Sequence, residues 1–276
     1  MLEAAIPDIL GNVLPLAGEW GLKEKLARSM AYYGELLNDG AGCGFSLHLA
    51  RCGKAREESF MDDMRLTDER LCVLNHPLVD HKLAIMRDET TTPSQFRQMV
   101  HEISMLEVFE ATRDLPTEAI EVKTPLQTMT GRHVPSNLLA VVPILRAGMG
   151  MLDGVLSVIP SAAVGVLGME RNEETHQPRE YYAKMPKGIE NRTVFLVDPM
   201  LATGGSSLAA IHYLRKQGVK DIRLLVLVAA PEGVRAVLED DPEVRIWTCA
   251  LDEGLNDQAY ILPGLGDAGD RIFGTV

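Results

Sequence analysis

Four runs of apolar residues without polar alternation constrain this chain more than any other feature. They lie at residues 138–142 (LLAVV), 162–167 (AAVGVL), 193–197 (TVFLV) and 222–228 (IRLLVLV). A strand with one face in water alternates apolar and polar side chains, whereas a strand covered on both faces need not. Helix-like stretches at 204–217 and 232–238 separate or follow these runs. That order calls for right-handed crossovers and an α/β fold, a mainly parallel central sheet flanked by helices. A further helix is predicted from Thr92 to about Ala111. There Thr92 caps, Pro93 suits the first helical position and Gln95 reaches back to the cap. In such sheets ligands bind beyond the carboxyl ends of the strands, so the loops there carry the chemistry.

The texture before about residue 70 is different. The segment 21–37, GLKEKLARSMAYYGELL, sets Leu22, Leu26, Met30, Tyr33 and Leu37 at helical spacing. Residues 1–70 therefore read as a helical N-terminal extension of unknown role, and 71–276 as the α/β domain. The net charge of -12 argues against nucleic acid as a partner, since neutralising a phosphate backbone needs a basic face. Cys43, Cys52, Cys72 and Cys249 are scattered, with no C-x-x-C spacing, which gives no support for zinc or a disulfide framework. His76, His81, His101 and His133 form no H-x-x-x-H or H-E-x-x-H arrangement. No run approaches the ~20 apolar residues of a membrane span. Glu3 and Asp8 interrupt any secretory signal, so a soluble cytoplasmic protein without membrane attachment is expected.

The segment 193–208, TVFLVDPMLATGGSSL, is the most informative for function. An apolar strand ends at Asp198, and Thr203, Gly204, Gly205 and Ser206 open a helix. Unpaired N–H groups and the positive dipole end at a helix start, with backbone made approachable by glycine, form a cradle for one phosphate. The Thr203 and Ser206 hydroxyls add donors. Asp198 would repel a phosphate but could accept hydrogen bonds from two ribose hydroxyls. A P-loop is excluded because no lysine follows the glycines, the dinucleotide fingerprint G-x-G-x-x-G is absent, and no G-x-S-x-G elbow points to a hydrolase. Arg146 ends the run at 138–145 and is followed by Ala147, Gly148 and Gly150, small residues that let backbone approach a ligand. Its guanidinium suits a two-point contact with pyrophosphate.

The strand, acid and TGGS order resembles the phosphoribosyl diphosphate signature of type I phosphoribosyltransferases. The form VDPMLATGGS at 197–206 is similar to that of the uracil phosphoribosyltransferase family. The resemblance continues through HPLVDHKL (76–83), VPILRAGMGM (142–151), RNEET (171–175), LVAAPEG (227–233) and YILPGLGDAGDRIFGT (260–275). One departure is Glu170, which precedes Arg171 where many relatives carry an aromatic residue.

The resemblance implies transfer of phosphoribose to uracil, giving UMP and diphosphate. It implies that Arg146, Arg171, Asp198, Pro199, Met200, Leu201, Ala202, Thr203, Gly204, Gly205, Ser206 and Asp267 contact phosphoribosyl diphosphate. Asp198, Arg146 and Arg171 are the expected catalytic residues. Ile261, Gly266, Asp267 and Ala268 would read uracil, and Asp267 is also a candidate contact for Mg²⁺ carried by the diphosphate. Backbone groups held in irregular conformations by glycine and proline could recognise such a flat ring. His76 and Lys82 are expected in structural or interface roles. A homo-oligomer and GTP as activator are further implications, for which the sequence offers no site. Two readings remain beside this one: a phosphoribosyltransferase for another base, and a nucleotide-sensing regulator that kept the fold.

Overall fold

The computed structural model describes residues 68–171 and 178–275. The helix expected at 21–37 and the charged loop at 172–177 lie outside the described residues, as does nearly all of the extension expected at 1–70.

The described chain opens with β1 (Leu71–Val73), α1 (Pro77–Arg87), α2 (Pro93–Ala111) and a hairpin of β2 (Glu118–Lys123) and β3 (Thr128–His133). Next come β4 (Leu139–Leu145), α3 (Met149–Val158), β5 (Ala163–Val164), β6 (Val166–Arg171) and β7 (Pro178–Lys184). The last third holds β8 (Thr193–Val197), β9 (Met200–Leu201), α4 (Gly205–Lys216), β10 (Asp221–Ala229), α5 (Pro231–Asp240) and β11 (Arg245–Leu251). It ends with β12 (Gly254–Leu255), β13 (Ile261–Leu262) and α6 (Ala268–Phe273). The main sheet runs β1-β11-β10-β8-β4-β6-β7, with β5 beside β4 and β9 beside β10. Every pairing in it is parallel except β6 with β7.

The unbroken apolar runs have a physical explanation in the two cores. Along the central strands, successive side chains point to opposite faces. Val141, Phe195, Val197, Leu225, Leu227 and Trp247 enter one core, covered by α1, α2, α3 and α6. Ala140, Val142, Val194, Leu196, Leu224, Val226 and Ile246 enter the other, covered by α4 and α5. Each fully buried Leu or Phe contributes about 1.5–3 kcal/mol, so alternating polar residues would be costly on either side.

The helix at Pro93–Ala111 forms as its sequence predicts. The Thr92 side chain accepts from the Gln95 N–H, and the Gln95 side chain accepts from the Thr92 N–H, closing a capping box. The run at 162–167 is not one strand: it divides at Gly165, whose N–H is held by the Val141 carbonyl at 2.9 Å. His76 caps α1 by accepting from the Leu78 N–H at 3.1 Å, and Lys82 pairs with Glu102. Both therefore do structural work in this chain. Cys249 is buried and Cys72 partly so, and burial pushes both thiols up, away from nucleophilic use.

The connections place the site. The chain leaves β4 through α3 over the first core to reach β6, and leaves β8 through α4 over the second core to reach β10. The carboxyl ends of β4 and β8 thus flank the point where strand order reverses, and a crevice opens there.

Candidate active site

At the end of β8, Pro199 lacks an N–H and interrupts the ladder to β10, which resumes at Met200. The Pro199 carbonyl still accepts from Leu227 and Val228 at 3.0 and 3.1 Å, and the Leu201 carbonyl accepts from Ala230 at 2.8 Å. This pins the turn while freeing the Met200 N–H to donate to the Asp198 carboxylate. Asp198 keeps an edge toward the crevice, yet its surroundings exclude enough water that burial pushes its carboxyl up to about 7, against that hydrogen bond. Leu201 is core and Pro199 is buried, so these two support the turn.

Thr203 and Ser206 are exposed at the start of α4. Gly204 sits in the left-handed region, φ 85°, where it caps the helix without a side-chain hydrogen bond. The first N–H groups of α4 therefore have no side-chain cap. Across the reversal point, β4 ends in a turn so tight that a Cβ on Gly148 would lie 2.4 Å from the Val197 carbonyl oxygen. The Leu145–Arg146 peptide is cis. The Arg146 side chain is 63% exposed, 3.8 Å from the Asp270 carboxylate and 5.8 Å above the Phe273 ring.

The third wall is the segment after β12. Its Leu262–Pro263 peptide is cis, and Gly264 and Gly266 have positive φ. Asp267 caps α6 by accepting from the Asp270 N–H at 2.9 Å. Between the walls lies a cleft of about 250 Å³. One side presents Ala147, Asp198, Met200 and Ala202; the other presents Ala259, Tyr260, Ile261, Gly266, Asp267, Ala268 and Gly269. The volume is small for a nucleotide and ample for a single six-membered ring.

Of the residues singled out from sequence, Asp198, Met200, Ala202, Ile261, Gly266, Asp267 and Ala268 line one cleft. Arg146 stands at its rim next to Ala147, and Thr203 to Ser206 continue the wall begun by Ala202. Arg171 is the last residue of β6, and its side chain lies outside the described residues. Sequence reasoning missed Tyr260 and Ala259, although both border the glycine-rich block. It also missed Asp270, whose carboxylate meets Arg146. Among the described residues, no cluster of three or more His, Cys, Asp or Glu could hold a metal ion unaided.

A parallel sheet that brings an uncapped helix start, a buried acid and an arginine to one reversal point defines a phosphoribosyltransferase class of site. Within that class the chain belongs to the uracil phosphoribosyltransferase family, whose model matches residues 73–275. It is 53% identical over 203 residues to uracil phosphoribosyltransferase from Thermoanaerobacter sp. strain X514, covering 74% of this chain and 97% of that protein. The corresponding protein of Latilactobacillus sakei subsp. sakei strain 23K is 55% identical over 206 residues, covering 75% of this chain and 99% of that protein. Among solved structures, the AQ2163 protein from Aquifex aeolicus is similar, with 38% identity and a TM-score of 0.70 over 74% of this chain and 97% of that one.

Proposed function

We propose that this chain joins uracil to the ribose phosphate of 5-phospho-α-D-ribose 1-diphosphate, giving UMP and diphosphate. The observation that carries the reading is the single cleft in which the Asp198 turn faces the backbone-lined segment 261–268. The 5′-phosphate would rest on the N–H groups that open α4, with the Thr203 and Ser206 hydroxyls as further donors. Asp198 would take the two ribose hydroxyls as hydrogen-bond donors, a contact that favours its ionised form over the protonated one. The uracil ring would lie against Ile261, Gly266 and Ala268, read by their main-chain groups.

The C1′–O bond to diphosphate breaks, the C1′–N1 bond to uracil forms, and the N1 proton leaves to solvent. Arg146 would turn from Asp270 to the departing diphosphate, and Arg171 would approach it from the end of β6. Charge placed in advance where negative charge develops is the main contribution such a site makes. Holding both reactants in line supplies most of the rest. Asp198 and Asp267 are the carboxylates of the cleft lining, too few for a protein-built cation site but suited to Mg²⁺ that arrives on the diphosphate. When bound, Mg²⁺ neutralises charge on the leaving group.

Assembly of several copies is part of the same proposal. Among the described residues the hairpin β2–β3 pairs only with itself and leaves Ile120, Leu126 and Met129 exposed, which a neighbouring copy would cover. GTP as an activator rests on the family resemblance alone. No helix among the described residues is long and apolar enough to cross a membrane, and the reading places the protein in the cytoplasm. The deciding experiment supplies labelled uracil, phosphoribosyl diphosphate and Mg²⁺ and follows UMP, with orotate, cytosine and adenine as competitors. UMP formation is expected; product from another base alone would overturn the assignment.

A further inference from the structure

We infer that Arg87 and Asp252 are positioning residues for the backbone that reads the base, an inference that rests on the base-binding role proposed above for residues 261–268. Neither residue lines the cleft. Arg87 ends α1 and Asp252 follows β11, yet the two meet in a two-point contact, Nη1 to Oδ2 at 2.8 Å and Nη2 to Oδ1 at 2.6 Å. The Asp252 side chain is only 6% exposed. Each partner then holds the same glycine: Arg87 Nη1 donates to the Gly264 carbonyl at 2.7 Å, and the Gly264 N–H donates to Asp252 Oδ2 at 2.9 Å.

Gly264 lies between Ile261 and Gly266, two residues that do line the cleft. Its φ is 60°, a conformation glycine adopts without strain but in which its freedom to take other shapes leaves the position dependent on the bonds that hold it. The next residue is anchored too. Arg271 Nη1 donates to the Leu265 carbonyl at 2.9 Å, and its Nη2 donates to the Asp88 carbonyl at 2.6 Å. The middle of the base segment is thus fastened to the carboxyl end of α1, an element distant in sequence.

Side-chain recognition tolerates small backbone shifts because side chains rotate to follow the ligand. Recognition by main-chain N–H and C=O groups does not, and a misplacement of ~1 Å costs about 100-fold in rate. A partly buried ion pair contributes little net stability by itself, since the loss of water around both charges offsets the attraction. Here both charges converge on one glycine of the recognition segment, which gives the pair a geometric task. Release of that glycine would slacken the ring-reading amides and leave the α4 cradle untouched, because the cradle is built on the opposite core.

Arg87→Lys keeps the charge and most of the stem but loses the planar fork. It is expected to raise KM for uracil by roughly tenfold or more, with KM for phosphoribosyl diphosphate and the thermal midpoint close to wild type. Asp252→Asn should show the same selective rise in KM for uracil, here with a lower thermal midpoint because the Arg87 charge loses its buried partner, and the double variant should be no worse in KM than the poorer single one. Amide hydrogen exchange at residues 264–266 of the unliganded protein should accelerate in each variant, with the β4 amides unchanged. An unaltered exchange rate there would overturn the inference. So would equal rises in KM for both substrates accompanied by a lower thermal midpoint, the mark of a general structural role. Because the exchange measurement uses no substrate, it reports on the pair even if wild-type protein made no UMP, an outcome that would defeat only the reading of the site.

Discussion

The turn at 198–206 and the segment at 261–268 face one another across the cleft, but they are held in place differently. The turn is self-contained: β8 delivers Asp198, Pro199 opens the ladder, Gly204 makes the corner and α4 begins at once. Its anchors are backbone bonds to the adjacent strand β10. The C-terminal segment starts in one short strand, β13, paired with β12, and then turns irregular, where Gly264 and Leu265 are anchored by the side chains of Arg87, Asp252 and Arg271. A phosphate needs a rigid local cup that any well-made strand-to-helix turn can provide. A flat heterocycle needs donors and acceptors at particular spacings, and irregular backbone reaches these only with outside support.

Three substitutions would break or sharpen this contrast. The largest effect is expected from Arg146→Ala, which on the role proposed above would take a cation away from the departing diphosphate. It should lower kcat/KM for phosphoribosyl diphosphate by about 100- to 1000-fold while hardly moving KM for uracil. Steady-state kinetics with each substrate varied would show this, and unchanged use of phosphoribosyl diphosphate would take Arg146 out of the site. Next is Gly148→Ala, which puts a methyl group against the carbonyls of Val197 and Ile144. Prying β4 from β8 at the reversal point should cost about 3 kcal/mol, seen as a lower thermal midpoint together with poorer use of both substrates. If only one substrate suffered, the two walls would be more independent than the shared strand ends imply.

The smallest effect concerns Asp198, through pH. Its carboxyl is raised from 3.8 in the unfolded chain to about 7 in the folded one. The unfolded chain therefore releases this proton at lower pH than the folded protein does. The resulting stability is present below the unfolded value and is lost as pH rises toward and through about 7. In the unliganded protein the loss between pH 5 and 8 should be roughly 2 kcal/mol, allowing for water at the cleft edge. Asp198→Asn, uncharged throughout, should have a flatter profile of thermal midpoint against pH and a much lower affinity for phosphoribosyl diphosphate. Parallel profiles for the two proteins would contradict the raised carboxyl.

What the sequence disclosed follows the same division. The central strands were legible because a strand buried on both faces is largely apolar, and 193–197 and 222–228 are apolar apart from Thr193 and Arg223. The helix at Pro93–Ala111 was legible from its capping box, and the turn after Asp198 from TGGS. The run at 162–167 misled, because residue type alone does not register the break at Gly165. β11 was missed: Arg245, Thr248 and Cys249 dilute its apolar character, although the strand is largely buried and lies between β1 and β10. Arg87, Asp252 and Asp270 carry no local signal. Each matters through a partner distant in the chain, and no spacing rule connects residues 87, 252 and 264.

The alternation of side chains between two cores has a practical consequence. Leu196 shares one core with Ile211 and Leu214 of the helix that opens at Gly205, while Phe195 belongs to the other core, which also holds Leu265 and Ile272 of the C-terminal region. Adjacent residues of β8 thus act as separate adjusting screws. A library that repacks only the first group should retune the grip on activated sugars and keep the choice of nucleobase. One confined to the second group should yield catalysts for altered pyrimidines on an unchanged donor.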